Sequence, residues 1–273
     1  MTKGKELANV ADEESLALLR NSFPVDPGFQ RQNFPRIGMY SKDVTEGKGK
    51  AMKVVTEAGM FYIERQSDDI DPETGKKKWV KEEIGTEINV IILYQRKQLR
   101  FYDGEFFTSS TVFDNDDEVV TLFKNKQIVE KGLPADLKAL PQFAGKNAKG
   151  KDVSKLEDNR LLFVLWNDEV YQLNIRGGSM YAFLTFARQQ SPNTVLTTIG
   201  SEYKENGGIT WNQMTFKVAR VINTDEVNVI LDKTAEIKGN IEAEKGYFAA
   251  KNNEEGSVKV MSEAEKEFLG LAS

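Results

Sequence analysis

The sequence predicts an α+β fold that is mainly antiparallel β. Two observations predict it. From Met60 onward, short runs rich in β-branched and aromatic residues are joined in pairs by tight-turn residues. Tight turns connect antiparallel neighbours, whereas parallel strands need long crossovers, so a parallel α/β sheet is excluded. Helical periodicity, by contrast, is confined to the stretch before Gln190 and to the residues after Asn223, apart from short N-terminal and mid-chain helix signals.

Asp12 to Asn21 reads as a short helix, with acids at its start and Leu16, Leu18 and Leu19 behind them. Phe23-Pro24-Val25-Asp26-Pro27-Gly28 breaks it, so residues 1–30 read as an N-terminal arm. Arg36 to Ser41 is a first strand, followed by a Lys/Gly loop to Lys53. Met60 to Glu64 and Trp79 to Ile84 are strands around the turn-rich Asp69–Lys76. Thr86 to Arg96 is a long strand; Leu99 to Tyr102 and Glu105 to Ser109 form a hairpin around Asp103-Gly104. Glu118 to Phe123 fits a strand or a short helix, and Leu133 to Leu137 opens a helix.

After a Gly/Lys loop at Gly145–Asp152, Leu161 to Trp166 and Val170 to Ile175 flank a tight turn at Asn167-Asp168-Glu169. The first of these strands is apolar on both faces and is predicted to be buried. Ser179 is the expected N-cap of a helix running from Met180 to Gln190, which Ser191-Pro192 ends. Thr194 to Tyr203 pairs with Ile209 to Ile222 across Asn206-Gly207-Gly208. Asn223 and Glu226 form a capping-box pattern before Val227, Ile230, Leu231, Thr234, Ile237 and Ile241 at near-helical spacing. A polar linker at Lys251–Gly256 and a last amphipathic helix from Met261 to Leu271 close the reading. This order fits an OB-like barrel elaborated with loops, with one internal helix and C-terminal helices; a β-sandwich is the next architecture. The predicted regions are the arm 1–30, a β-rich body 31–222 and an acidic helical segment 223–273.

The chain has 273 residues, 37 Lys+Arg, 42 Asp+Glu, no His and no Cys. Without Cys there is no disulfide, thiol nucleophile or cysteine metal site. Without His there is no Ser-His-Asp triad and no imidazole base. Enzyme chemistry would need carboxylates with a hard metal, and no acid pair has a recognisable catalytic spacing, so no enzymatic activity and no cofactor are expected. No apolar run approaches a membrane span and Met1 to Glu6 lacks a signal-peptide core, so the expectation is no membrane contact and a cytoplasmic or intravirion setting. Residues 223–273 hold eleven acids against six bases and carry the whole net charge of −5.

Gly145 to Lys151 matches the phosphate-loop spacing, but Asp152 stands where a hydroxyl should bind Mg²⁺ and no buried strand precedes it, so it reads as an exposed basic loop. Asp114 to Glu118 lacks the calcium-loop pattern and reads as a solvated acidic loop, and no metal site is assigned. Tyr94, Arg96, Lys97, Arg100 and Tyr102 gather around what reads as one turn, with Ile88, Val90, Ile92, Tyr94 and Arg96 on one strand face. Rings that stack on bases, interleaved with cations for phosphates, are what single-stranded nucleic acid needs. Trp211 and Lys217 share an otherwise polar strand face, and Arg176 precedes a helix start whose amides could hold phosphate. Each of these has a plain alternative: core aromatics, a ring covering a barrel rim, or a hairpin-to-helix connector.

Ile175–Phe183, Gly208–Phe216 and Tyr94–Tyr102 with Phe107-Thr108-Ser109-Ser110 resemble phage-encoded single-stranded DNA-binding proteins of replication modules. The resemblance covers residues 85–222 and implies an OB-fold, sequence-independent binding of single-stranded DNA in replication or recombination, and no cofactor. Bacterial proteins of this function end in an acidic tip with a terminal aromatic; Glu263, Glu265, Glu267 and Phe268 echo it only faintly, and Leu269 to Ser273 follow. Replication proteins are the partners such an acidic segment would recruit. The competing expectation is a virion structural or assembly protein, a tail or capsid accessory. DNA or RNA preference and oligomeric state stay open, a homo-oligomer included.

Overall fold

The computed structural model describes residues 12–22, 34–46, 52–70, 72, 75, 77–125, 127–147 and 149–254. In chain order the elements are α1 (Glu13–Ser22), β1 (Arg36–Met39), β2 (Val44–Glu46), β3 (Lys53–Thr56), β4 (Phe61–Ile70), β5 (Lys77–Gly85), β6 (Ile88–Tyr102) and β7 (Phe107–Phe113). Then follow β8 (Val120–Lys124), β9 (Gln127–Gly132), α2 (Pro134–Ala139), β10 (Ala144–Lys146), β11 (Asp152–Ser154), β12 (Glu157–Trp166) and β13 (Glu169–Arg176). The last are α3 (Gly177–Gln189), β14 (Val195–Asn206), β15 (Ile209–Val221) and α4 (Thr224–Glu254).

Eleven strands form one sheet in the order β5-β4-β1-β13-β12-β6-β7-β8-β9, with β14 joined to β6 and β15 to β14. Pairing is antiparallel except between β1 and β13, where Arg36 lies beside Gln172 and Ile37 beside Leu173. The sheet does not close into a barrel, which corrects the expected OB-like closure. Among the described residues, the terminal strands β5 and β9 pair with β4 and β8 only, and the C-terminal hairpin adds to β6 instead of bridging the ends. Closure depends on pairing between strands distant in sequence, which local turn chemistry does not encode.

The turns follow from their residues. Asn167 and Asp168 both take positive φ (49° and 64°), as do Gly207 and Gly208 (58° and 80°). Two consecutive left-handed residues give the turn whose twist matches flanking strands. At the Asp103-Gly104 turn, Asp103 Oδ1 accepts the N–H groups of Glu105 (2.9 Å) and Phe106 (2.8 Å). The Lys124 ammonium and these amides hold the Asp103 carboxyl well below the usual range. The Gly145–Lys151 stretch is the bend of the β10–β11 hairpin, in which Asn147 Oδ1 accepts from the Lys149 and Lys151 amides.

Three apolar clusters hold the layers together. On one face of the sheet, Ile88, Val90, Ile92, Leu162, Val164 and Leu173 pack against Phe183 and Phe186 of α3 and Ile199 and Met214 of the β14–β15 hairpin. On the other, Ile91, Leu93, Tyr94, Phe163 and Leu165 pack against Leu16 and Leu19 of α1 and Ile230, Ile237 and Ile241 of α4. Strand β12 is thus covered on both faces, as its apolar run predicts. The third cluster joins Leu99, Phe113 and Leu122 to Leu137 of α2 and to Phe143.

Two terminal expectations change. Helix α1 is capped by Asp12, whose Oδ1 accepts the Ser15 N–H at 2.7 Å, and it docks on α4 through Leu16 and Leu19. That part of the expected arm therefore belongs to the body; residues 1–11 and 23–33 lie outside the described residues. Helix α4 continues unbroken to Glu254, through the start of the expected linker. The expected helix at 261–271 lies outside the described residues.

The start of α4 is held by Glu226. Its carboxylate accepts the Asn223 N–H at 2.6 Å and two Arg220 bonds at 2.7 Å each. The Arg220 hydrogen bonds lower the Glu226 pKa below its ordinary 4.5. A depressed folded pKa adds stability above the unfolded value, and that stability is lost as pH falls through the folded one. The Tm gap between the wild type and Glu226→Gln is expected to be present at pH 7 and to vanish below the carboxylate range. Thermal scans from pH 7 to 2.5 check this; a gap independent of pH contradicts it.

Candidate nucleic-acid interface

Strand β6 runs without interruption through Lys97 and Gln98, where the sequence suggests a turn. Opposite β12, Tyr94 pairs with Phe163 while Ile92 pairs with Val164, so Leu93 is an extra residue, a β-bulge. One extra residue inverts the alternation of every side chain beyond it. Ile88, Val90 and Ile92 therefore enter the α3 cluster, while Tyr94 enters the α1–α4 cluster. The expected common face of Ile88 to Arg96 is corrected to two faces.

Three of the predicted binding residues are turned inward. Tyr94 is 6% exposed and edge-on to Phe163 at 6.3 Å. Burial and the nearby Asp114 charge push its hydroxyl up to about 12. Arg96 is fully buried, with Nε 3.5 Å from Asp114 Oδ1. Lys97 is buried, with Nζ 3.1 Å from Asp116 Oδ2. The Asp114–Glu118 loop is thus partly ion-paired rather than simply solvated. In this conformation Tyr94, Arg96 and Lys97 offer nothing to a ligand.

Arg100 and Tyr102, further along β6, lie differently. The Arg100 guanidinium sits 4.6 Å from the centre of the Phe107 ring. Tyr102 is exposed, and its ring lies 4.7 Å from Phe107 at an interplanar angle of 33°. Register places Arg100 across from Glu157, Gln98 across from Asn159, and Asn159 across from Arg176. Directly opposed residues share a face, so Arg100 and Arg176 share one. Burial first, then the charges of Arg176 and Arg36, lower the Arg100 pKa. The Arg100 Nε is buried without a hydrogen-bond partner among the described residues. Arg36 is 3.8 Å from Glu64, and Arg176 is exposed.

The same face carries residues that the sequence reading missed. Tyr40 and Tyr62 lie 4.5 Å apart, and the Lys81 ammonium stands 4.4 Å from the Tyr62 ring centre and 5.5 Å from that of Tyr40. Tyr62 lies across Gly38, its register partner on β1, and a Cβ there would overlap the ring. Gly38→Ala is expected to displace Tyr62 from this stack and to cost about 1–3 kcal/mol through overpacking. Urea unfolding checks it; unchanged stability would show that the ring moves freely.

Trp211 and Lys217 sit on β15, whose Met214 and Phe216 pack in the α3 cluster. Trp211 is half-buried and Lys217 exposed. Gln213, two residues after Trp211, lies against Gly178, close to Arg176. The N-cap of α3 is Arg176, not Ser179, whose hydroxyl instead accepts the Met214 N–H at 2.9 Å.

The open part of the sheet face thus presents three arginines between two ring pairs, each pair under its own cation. Cations can neutralise phosphates, and paired rings can stack on bases. Among the described residues no cluster of carboxylates suits a metal ion, and no helix is long and apolar enough to cross a membrane. Compared with protein-family models, curated proteins and solved structures, the chain matches none.

Proposed function

We propose that this chain is a non-enzymatic protein that binds single-stranded DNA without regard to sequence, coating strands exposed in replication or recombination. One observation carries the reading: strand register sets Arg36, Arg100 and Arg176 on one sheet face together with the ring pairs Tyr40–Tyr62 and Tyr102–Phe107. The charges of Arg176 and Arg36 act against that of Arg100, a repulsion that a bound phosphate backbone would relieve. The flanking ring pairs offer stacking surfaces, which tolerate any base. A net charge of −5 is compatible with this, because the local field governs binding.

The test is fluorescence anisotropy of labelled oligo(dT) at two salt concentrations, with duplex DNA as control. Binding restricted to the single strand and weakening with salt is the expected result. Affinity that ignores salt, or none at low salt, overturns the proposal. The uncovered strands β5 and β9 favour a second reading, a virion structural or assembly subunit. That reading expects a defined high-order oligomer and no affinity for oligo(dT).

A further inference from the structure

Strand β5 ends the sheet, and every residue from Lys77 to Glu83 is exposed. An uncovered edge offers a row of backbone donors and acceptors to any strand that can reach it. Lysines on such an edge usually repel incoming strands. Here the order of charges does something more specific. The run is Lys77-Lys78-Trp79-Val80-Lys81-Glu82-Glu83, two bases at one end and two acids at the other.

We infer that β5 pairs with β5 of a second copy of this chain, antiparallel and centred on Val80, to form a two-fold dimer. In that register Lys77 faces Glu83 of the other copy, Lys78 faces Glu82, Trp79 faces Lys81 and Val80 faces Val80. Each pairing occurs twice by symmetry, which gives four ion pairs, with Lys77 exchanging its exposed Asp68 partner 2.9 Å away and Glu83 the Thr56 hydroxyl, while Lys81 stays on the Tyr62 ring. Trp79 and Val80, 53% and 48% exposed in the single chain, become covered. The register is feasible because β5 is regular over these residues: its own irregularity falls at Ile84, and the one near its start belongs to β4. A slip by one or two residues sets Lys77 or Lys78 against an uncharged or like-charged neighbour, so the charges select this register.

The other edge carries no such pattern. Strand β9 has Glu130 and Lys131 adjacent, and Gly132 at its end lies against Leu137 of α2. A self-complementary strand generates an isologous contact, which closes on two copies and does not propagate. The inference stands apart from the nucleic-acid reading and survives its failure.

Sedimentation equilibrium of the full chain tests it. The wild type is expected at twice 30.8 kDa, shifting toward the monomer as salt rises, because the ion pairs are solvent-exposed. Lys77→Glu with Lys78→Glu, and separately Glu82→Lys with Glu83→Lys, place like charges opposite each other and are expected to be monomeric. Mixing these two proteins restores complementarity, so the mixture is expected to form the mixed dimer. The chain bearing all four changes is expected to dimerise as the wild type does, which also shows that the altered strand folds. A monomeric wild type, a dimer indifferent to the single-sided reversals, or a mixture that stays monomeric would each overturn the inference.

Discussion

Arg96→Ala is expected to lower the stability of the folded chain by about 3–5 kcal/mol, measured by urea unfolding. The magnitude follows from burial. Arg96 is 0% exposed and Asp114 is 4% exposed, so removing the guanidinium strands a carboxylate where water cannot solvate it. Asp114→Ala leaves the mirror-image problem and is expected to cost a similar amount. The double variant Arg96→Met with Asp114→Leu removes both charges while keeping volume. It is expected to recover most of the loss, because an apolar replacement of a buried pair is often neutral. If the double variant were no better than the single ones, the cost would lie in packing rather than in the uncompensated charge.

Arg100→Ala with Arg176→Ala is expected to change DNA binding more than any other pair on the open face. Each cation that contacts a phosphate of a single strand adds about 0.7 to the slope of log affinity against log salt. Losing two should lower that slope by about 1.4 and, at low salt, weaken oligo(dT) binding on the order of 10–100-fold per arginine. Arg100 faces Glu157 and lies over the Phe107 ring as well as near Arg176 and Arg36, so urea unfolding accompanies the titrations to confirm that the variant is folded. The matching control is Lys217→Ala, exposed on β15 away from these arginines in the strand order, which is expected to leave the slope unchanged. Anisotropy titrations at four salt concentrations separate these outcomes. An unaltered slope in the double variant would move the interface off this face.

Local chemistry was legible in the sequence where it is self-sufficient. The turns at Asn167-Asp168, Gly207-Gly208 and Asp103-Gly104 are set by residues that tolerate left-handed backbone or cap their own amides, and the strands on either side follow. Glu226 as a capping residue is likewise visible, being only three residues from its donor Asn223. What was not legible depends on distant partners. Lys97 reads as a turn residue because it is charged, yet it is buried in mid-strand and compensated by Asp116. The bulge at Leu93 exists only relative to β12, and it decides which side Tyr94 and Arg96 take. Of the proposed binding face, Arg100, Tyr102 and Arg176 were visible. Arg36, Tyr40, Tyr62 and Lys81 join them only because β1 lies parallel to β13 and carries β4 and β5 with it.

The place of β6 also governs how the molecule is made. Its partners β12 and β14 come from the second half of the chain, and the β1–β4–β5 group joins β6 only through β13 and β12. During synthesis, this strand of 15 residues therefore emerges with only β7 available to pair with it. Topologies dominated by such distant pairings fold slowly and expose sticky strands meanwhile. Chains truncated before Glu157 are accordingly expected to accumulate as insoluble material, whereas refolding of the complete chain should be limited by assembly of β12 and β13 onto β6.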